Sequence, residues 1–295
     1  MSEILQWSAG INGYKKHTLE NNHFTTTITD CQFEPGRSID TILCDHLVSS
    51  LGGPVELLYS GGVDSELVLM SLLKNNIPVE AMTMVITVKG AILNVADLYY
   101  SEKFCRENNV KQNLFYFDAI DFYESGEYLE YLSPLQIVEP HVASHMWLIN
   151  QCQNYAVIGG DWPWVQTNKR VLSPFKLSYN SYDRFMKSKG IDGIGNMLSH
   201  SFESSYYFMQ KQIEFHDDTE NGSLTSSFLK QKMYQFKEPR IRSYGWENCP
   251  PQLFNLVKYK IHLVKTLGIS SSTIQWQDKI SELIGSDTNN NSSFT

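Results

Sequence analysis

The sequence predicts an α/β protein with a Rossmann-like parallel sheet. Between about residues 55 and 161, short apolar runs typical of buried strands alternate with amphipathic segments typical of helices. This alternation indicates parallel strands joined by right-handed helical crossovers. Each run also ends in small or polar residues, and ligands of such sheets bind beyond the carboxyl ends of the strands. From about residue 162 the pattern changes to aromatic-rich helical segments, which predicts a mostly helical C-terminal subdomain.

The α/β region contains four predicted strands. They are Val55–Tyr59, Val79–Ile86, Asn113–Asp118 and Tyr155–Ile158. Helices are predicted around them, beginning at about Ser38, Val63, Asn94, Asp121 and His141. In the C-terminal half the helical segments are Tyr182–Lys189, Ile194–Gln212, Thr225–Phe236, Pro251–Leu267 and Ile274–Leu283.

The two ends of the chain differ from its centre. Residues 1–35 are polar and turn-rich, with a β-prone patch at His23–Thr29 that predicts a small hairpin or extension. The tail from Gly285 is low in complexity, which is typical of disorder. We therefore divide the chain into a β/helical extension (1–50), an α/β domain (51–170), a helical subdomain (171–284) and a disordered tail (285–295).

Composition excludes several classes of protein. With 24 Lys and Arg against 32 Asp and Glu, the net charge of −8 disfavours a nucleic-acid partner. The 5 cysteines are scattered, with no Cys-x-x-Cys pair, so neither a disulfide framework nor a zinc site is indicated. The N-terminus does not resemble a signal peptide, and no apolar run approaches the length that spans a membrane. We expect a cytoplasmic protein with no membrane partner.

The segment Ser60–Ser65 is the strongest functional signal. It reads Ser-Gly-Gly-Val-Asp-Ser, directly after an apolar strand and directly before a helix. Glycines let a backbone approach a ligand closely, and the N–H groups of such a turn and of the helix N-terminus point at a negative group. Asp64 within this cradle would repel a phosphate unless a cation lay between them, so phosphate with Mg²⁺ is the natural interpretation. The alternative is a structural turn that needs its glycines only for geometry.

This string resembles the PP-loop of the N-type ATP pyrophosphatases, a superfamily that cleaves ATP between its α and β phosphates. It differs from a Walker A loop and from a Rossmann fingerprint in its residues and spacing. The resemblance implies a Rossmann-like sheet of the HUP type, with the loop after its first core strand. It also implies ATP and Mg²⁺ as cofactors, with ATP contacts from residues Ser60, Gly61, Gly62, Val63, Asp64 and Ser65.

Later strand ends supply further candidates. Thr87 follows the second strand, and Gly160 and Asp161 follow the fourth, so all three are predicted to share one rim with Ser60–Ser65. We expect Thr87 and Gly160 to contact ATP at this rim. The Gly-Gly-Asp turn resembles the one in asparagine-synthetase-type enzymes, which implies that Asp161 joins Asp64 in binding Mg²⁺. A solvent-facing Asp in an ordinary turn is the alternative.

A basic run near the C-terminus, residues 230–242, is the third candidate. It is the densest cluster of positive charge in this acidic chain, and a solvated basic face is the alternative interpretation. Its order of residues resembles the C-terminal segment of stand-alone, asparagine-synthase-like PP-loop proteins. The resemblance implies catalytic roles for Lys232 and Arg242 at the phosphates. Lys230 and Lys237 then serve as controls that point in other directions from a helix.

The predicted activity is adenylation of a carboxylate or carbonyl oxygen, followed by attack of ammonia or an amine. Alternatives are sulfur or nitrogen transfer to a nucleobase, or nucleotide binding without turnover. The expected partner is a small-molecule substrate; a homodimer and a separate protein that donates ammonia or an amine remain open. Residue 2 is Ser, not the cysteine nucleophile of glutamine-dependent synthetases, so we do not expect glutamine hydrolysis. For His141 and His145, packing or substrate contact is favoured over zinc.

Overall fold

The computed structural model describes the α/β region almost without interruption and the rest of the chain in parts. The described residues are 4–8, 14–20, 23–28, 37–45, 47, 53–160, 165–166, 171–172, 178–201, 203–205, 207–208, 211, 230, 234 and 254–268. Most of Thr225–Phe236, all of Ile274–Leu283 and the tail from Gly285 therefore lie outside them, and the division into domains stays a prediction. No helix within these residues is long and apolar enough to cross a membrane.

The N-terminal segment contains a three-stranded antiparallel sheet. Its strands are β1 (Ile4–Ser8), β2 (Tyr14–Glu20) and β3 (His23–Ile28), paired in the order β1-β2-β3. Strand β3 coincides with the β-prone patch of the sequence. It is followed by α1 (Ile39–Cys44), whose N-cap Ser38 accepts a hydrogen bond from the Thr41 N–H. A serine at this position satisfies a backbone donor that the first turn leaves free.

The central sheet contains five parallel strands with crossover helices between them. Its elements are β4 (Val55–Leu58), α2 (Val63–Lys74), β5 (Val79–Val88), α3 (Val95–Glu107), β7 (Lys111–Asp118), α4 (Ala119–Glu124), α5 (Tyr128–Leu132), α6 (His141–Ile149), β8 (Tyr155–Ile158), α7 (Ser178–Lys189) and β11 (Gly193–Ile194). A two-residue strand, β6 (Ala91–Ile92), pairs antiparallel with the end of β5. The order across the parallel strands is β11-β8-β4-β5-β7.

The remaining elements are short or lie near the C-terminus. They are the hairpin strands β9 (Val165–Gln166) and β10 (Val171–Leu172), 3₁₀ turns at Ser133–Leu135 and Met197–Ser199, and helix α8 (Leu256–Thr266). The described parts of the C-terminal half are therefore mainly helical, as the sequence predicts, with β11 as an addition to the sheet.

All four predicted strands of the α/β region are present, but the fifth, β11, was predicted as the start of a helix. The predicted helix Ile194–Gln212 instead begins with a strand that pairs in parallel with β8, as Ile194 with Val157. A two-residue strand is too short to show a period of two, and its pairing is set by the neighbouring strand. The predicted helix from Asp121 is likewise divided into α4 and α5, with Gly126 between them at φ 84°.

The sheet has a helical layer on each face. On one face, α1 and α2 pack against Val55, Leu57 and Val157. On the other, α6, α7 and α8 pack against Leu58 and Ile158. The two strands in the middle of this sandwich, β4 and β8, are buried along nearly their whole length, as parallel strands covered on both faces must be.

A buried carboxylate fixes the register of these two strands. Glu56 of β4 is 5% exposed and accepts hydrogen bonds from the backbone N–H groups of Gln153 and Asn154, at 2.7 and 2.8 Å. Those residues come immediately before β8. Because the register is held at this end, the loops that leave the opposite, carboxyl ends of β4 and β8 have fixed relative positions.

Candidate functional site

The Ser60–Ser65 loop leaves the sheet at its topological switch point. Strand β4 pairs with β5 on one side and with β8 on the other, both in parallel. The crossovers that follow these strands run in opposite directions, and a crevice opens between their carboxyl ends. The loop begins at this crevice and leads directly into α2.

Gly61 is required by the geometry of the loop. Its φ is 81°, a left-handed conformation that residues with a Cβ rarely adopt. A Cβ there would also lie 2.2 Å from the carbonyl oxygen of Asp97, at the start of α3. The loop therefore packs closely against the neighbouring helix, and a glycine is the residue that permits this approach.

Hydroxyl groups hold the loop around the N-terminus of α2. The Gly62 N–H donates to Ser60 Oγ at 3.2 Å, and Ser65 Oγ donates to the Gly62 carbonyl at 3.0 Å. The two serine hydroxyl oxygens are 3.2 Å apart. Below them, the Tyr59 hydroxyl donates to Glu66 Oε2 at 2.8 Å, in the buried interior. These contacts join the end of β4 to the first turn of α2, whose N–H groups have no acceptor within the helix.

Asp64, in the first turn of α2, accepts two hydrogen bonds from the C-terminal half of the chain. Lys230 Nζ lies 2.7 Å from its Oδ2 atom, and the Tyr234 hydroxyl lies 2.7 Å from its Oδ1 atom. The Lys230 side chain is 9% exposed and the Asp64 side chain 25%. Lys230 and Tyr234 are both helical and four residues apart, so they share one face. The carboxylate is thus neutralised by a largely buried ammonium group.

The turn after β8 lies against the same helix N-terminus. A Cβ on Gly159 would be 3.1 Å from the Ser65 Cα atom, so this backbone touches the loop. Gly160 has a φ of 75°, and a Cβ there would be 2.1 Å from Oδ1 of Asn196. The Gly159 carbonyl accepts a hydrogen bond from the Leu198 N–H at 3.1 Å. The structure therefore brings Gly160 to the rim with Ser60–Ser65, and adds Asn196 to it.

Two other rim residues have structural roles. Thr87, near the end of β5, donates its hydroxyl to the Phe117 carbonyl at 3.4 Å. Asp118, at the end of β7, accepts hydrogen bonds from the N–H groups of Ile120 and Asp121, at 2.9 and 3.1 Å. Asp118 is therefore the N-cap of α4, a common use of aspartate. An ATP contact from Thr87 stays a prediction.

Of the remaining candidates from the sequence, the structure describes the histidine pair on α6 but not the other three residues. His141 and His145 are on α6 with ring centroids 6.2 Å apart, and His145 Nδ1 is 2.5 Å from the Tyr182 hydroxyl. Lys232, Arg242 and Asp161 lie outside the described residues, so their predicted roles at the phosphates and the metal stay predictions.

Sequence reasoning missed Lys230 and Tyr234 as site residues. Lys230 was assigned as a control for Lys232, yet it contacts Asp64, and it cannot serve as a control. The spacing of a lysine and a tyrosine at i and i+4, inside a predicted helix, was the available signal. It was too common a pattern to select these two from the basic run, because only the tertiary fold shows which helical face meets the loop.

The donor set fits a phosphate group accompanied by a magnesium ion. Two hydroxyls, a glycine turn and a helix N-terminus suit phosphate oxygens. Asp64 offers a carboxylate ligand of the kind that Mg²⁺ prefers, and Mg²⁺ commonly takes one or two carboxylates together with substrate phosphates and water. Within the described part of the chain, no group of three or more His, Cys, Asp and Glu side chains could hold a metal.

Comparisons with known proteins give distant structural similarity. No protein-family model matches the chain, and no curated protein matches it. A predicted subunit of tRNA methyltransferase from Methanocaldococcus jannaschii is 16% identical over 54% of this chain and 74% of that chain, with a TM-score of 0.33. Glutamine-dependent NAD+ synthetase from Acinetobacter baumannii is 12% identical, with a TM-score of 0.34, and this chain covers 48% of its length.

A third similar structure is the U34-tRNA thiolase NcsA from Methanococcus maripaludis. It is 12% identical over 77% of this chain and 78% of that chain, with a TM-score of 0.32. Similarities at this level carry no argument about ligand or reaction. The function proposed below therefore rests on the residues of the site.

Proposed function

We propose that this protein is an AMP-forming adenylating enzyme of the PP-loop ATP pyrophosphatase type. It binds ATP with Mg²⁺ at Ser60–Ser65, releases pyrophosphate and transfers AMP to a carboxylate or carbonyl oxygen. Ammonia or an amine then displaces AMP. The observation that carries the proposal is Asp64, a carboxylate set inside a phosphate cradle at the switch point and held by the ammonium of Lys230.

The chemistry of the loop supports this activity. Breaking the bond between the α and β phosphates builds negative charge on both, and prearranged donors that meet developing charge are a major source of catalysis. The hydroxyl of Ser60 and the N-terminus of α2 are such donors, whereas Ser65 holds the loop in place by donating to the Gly62 carbonyl. Mg²⁺, when bound, neutralises phosphate charge and orients the polyphosphate, and Asp64 is the described residue suited to hold it.

Lys230 supplies the positive charge that the loop itself lacks. The first lysine after the loop is Lys74, at the far end of α2, where it pairs with Asp40 at 2.8 Å. Lys230 instead reaches the first turn of α2 and is largely buried there, where its charge is weakly screened. Lys232 and Arg242 are proposed to act beside it, as the resemblance implies.

Product analysis tests the proposal directly. Purified protein is incubated with ATP, Mg²⁺ and a panel of carboxylate metabolites, with and without ammonium, and the nucleotides are separated by chromatography. AMP and pyrophosphate in equal amounts are expected. ADP and phosphate as the main products would refute the assignment, because they report cleavage at a different bond.

The same experiment separates the two alternative functions. A sulfur- or nitrogen-transfer enzyme that acts on a nucleobase also forms AMP and pyrophosphate, but it requires a nucleoside or RNA acceptor in place of a carboxylate. A nucleotide-binding module binds ATP, measurable by calorimetry, and forms neither product with any acceptor. The net charge of −8 favours the small-molecule acceptor.

A further inference from the structure

The contact between Asp64 and the pair Lys230–Tyr234 occupies the carboxylate that the proposed function assigns to a metal. Each oxygen of Asp64 already accepts one hydrogen bond, at 2.7 Å, from the ammonium or the hydroxyl. A carboxylate has further lone pairs, so these bonds alone do not block a metal. The ammonium of Lys230 does oppose metal binding, because a divalent cation on the same carboxylate would lie beside another positive charge in a partly desolvated site.

We propose that Lys230 occupies Asp64 in place of the metal until nucleotide arrives, with Tyr234 holding the other oxygen. The inference rests on the proposed function. In nucleotide-free protein, Lys230 keeps the carboxylate neutralised and lowers its affinity for a free divalent cation. Binding of the negatively charged polyphosphate gives the ammonium another acceptor. Metal and nucleotide therefore bind together, and metal alone binds weakly.

Burial of Lys230 supports this exchange. Lys230 as a whole residue is 7% exposed, and a buried ammonium group needs a counter-charge because desolvation otherwise disfavours its charged form. Asp64 supplies that counter-charge here, and phosphate oxygens would supply it when nucleotide is bound. Tyr234 as a whole residue is 8% exposed, and its ring packs edge-on against Phe208, with centroids 6.1 Å apart. The hydroxyl is therefore placed at Asp64 by a buried ring rather than by a mobile side chain.

Binding of Mn²⁺ to the full-length, nucleotide-free protein tests the inference. Manganese chloride is titrated and free Mn²⁺ is read by electron paramagnetic resonance, for the parent and for Lys230→Met, which removes the charge and keeps a side chain of similar length. We expect Lys230→Met to bind Mn²⁺ at least about tenfold more tightly than the parent, because the like charge is gone. Lys230→Arg should restore weak binding.

Two further variants make the result specific. Tyr234→Phe removes a hydrogen bond to Asp64 but no charge, so Mn²⁺ binding like that of the parent is expected. Lys260→Met is the matched control, since Lys260 also has a side chain only 13% exposed and pairs with a carboxylate, Glu139, at 2.7 Å. It should bind Mn²⁺ like the parent. Adding Asp64→Asn to Lys230→Met should abolish the increase in Mn²⁺ affinity.

Each other outcome contradicts the inference. Unchanged or weaker Mn²⁺ binding by a folded Lys230→Met protein overturns it, as does a gain that survives Asp64→Asn. If Lys230→Met does not fold, unchanged or weaker Mn²⁺ binding by Lys230→Gln overturns it instead. The proposed function is judged separately, by whether the parent binds Mn²⁺ together with a non-hydrolysable ATP analogue. Failure of the parent to bind Mn²⁺ with the analogue refutes the function. If the parent binds both but Lys230→Met does not change Mn²⁺ affinity, only the exchange of Lys230 for the metal is refuted.

Discussion

The ammonium of Lys230 lies 2.7 Å from Oδ2 of Asp64, although 166 positions of sequence separate the two residues. Asp64 belongs to the first turn after the loop, and Lys230 belongs to a helical segment of the C-terminal half. The charge balance of the site therefore exists only in the folded chain. This contact links the Ser60–Ser65 loop to the C-terminal half of the chain and provides the first two predictions.

Replacing Asp64 with asparagine should abolish Mg²⁺-dependent formation of AMP and pyrophosphate while the protein remains folded. Asparagine keeps the shape of the side chain and can still accept from Tyr234, but it removes the charge that a metal requires. Pyrophosphate release measures activity, and circular dichroism checks the fold. Loss of fold, or turnover equal to that of the parent, would contradict the role. The neutral variant also removes the carboxylate charge that pairs with the largely buried ammonium of Lys230, so a loss of stability on the order of 3 kcal/mol is expected.

Replacing Lys230 with methionine should lower kcat and kcat/KM alike, by roughly 10²-fold or more, as expected for loss of a contact made in the transition state. Steady-state rates of pyrophosphate release measure it. The same substitution at Lys232 tests the prediction from the sequence, and Lys237→Met is the remaining control from the basic run. Parent-like rates for Lys230→Met, with a large loss for Lys232→Met, would transfer the role to Lys232. Parent-like rates for all three would show that the lysines of the run have no catalytic role.

The fold and the loop were predictable because both depend on local signals. The apolar runs of β4, β5, β7 and β8 and the glycines at 61 and 62 appear directly in the sequence. Contacts of single side chains with other elements were not predictable. Asn94, where the sequence predicts the start of a helix, is the N-cap residue of α3, but its side chain bonds the backbone of β5, accepting from Ile86 N–H and donating to the Met84 carbonyl. The pairing of Lys230 with Asp64 is a second case, since 166 positions of sequence separate the two residues.

The three described cysteines should react slowly with alkylating reagents in the native protein at pH 8. Burial raises the pKa of the Cys105 thiol to about 11 and that of the Cys44 thiol to about 12, with nearby carboxylates adding to both shifts. Burial, followed by the charge of Glu56, raises the pKa of Cys152 to about 12. The thiolate is the reactive form, so little of it is present at pH 8. Peptide mapping after iodoacetamide treatment measures each site, with the unfolded protein as the control.

The same shifts predict how stability depends on pH. Each of these thiols has a folded pKa above its unfolded value of about 8.5, so the unfolded chain releases protons first as the pH rises. The contribution of these thiols to the free energy of unfolding is complete below about pH 8.5 and is lost as the pH rises toward 11. Thermal unfolding between pH 7 and 10.5 should show a falling midpoint above pH 8.5. Cys105→Ser should reduce the slope, and rapid alkylation of native Cys105 at pH 8 would contradict the burial on which the prediction depends.

Replacing Gly160 with alanine should destabilise the protein more than the same change at Gly190. Both glycines have positive φ, 75° and 67°, so alanine is strained at either, by about 1–2 kcal/mol. At Gly190 nothing lies within 4 Å of the new Cβ, whereas at Gly160 it would lie 2.1 Å from Asn196 Oδ1 and 3.0 Å from Asn196 Cα. The turn after β8 would then have to move away from Asn196, and with it the backbone that touches Ser65.

We therefore expect Gly160→Ala to lower the free energy of unfolding by about 1–3 kcal/mol more than Gly190→Ala, as overpacking does, and also to weaken ATP binding. Urea unfolding and calorimetric titration with a non-hydrolysable ATP analogue measure the two effects. Equal losses of stability in the two variants, with ATP affinity unchanged in both, would show that the contact between Gly160 and Asn196 does not hold the rim of the site.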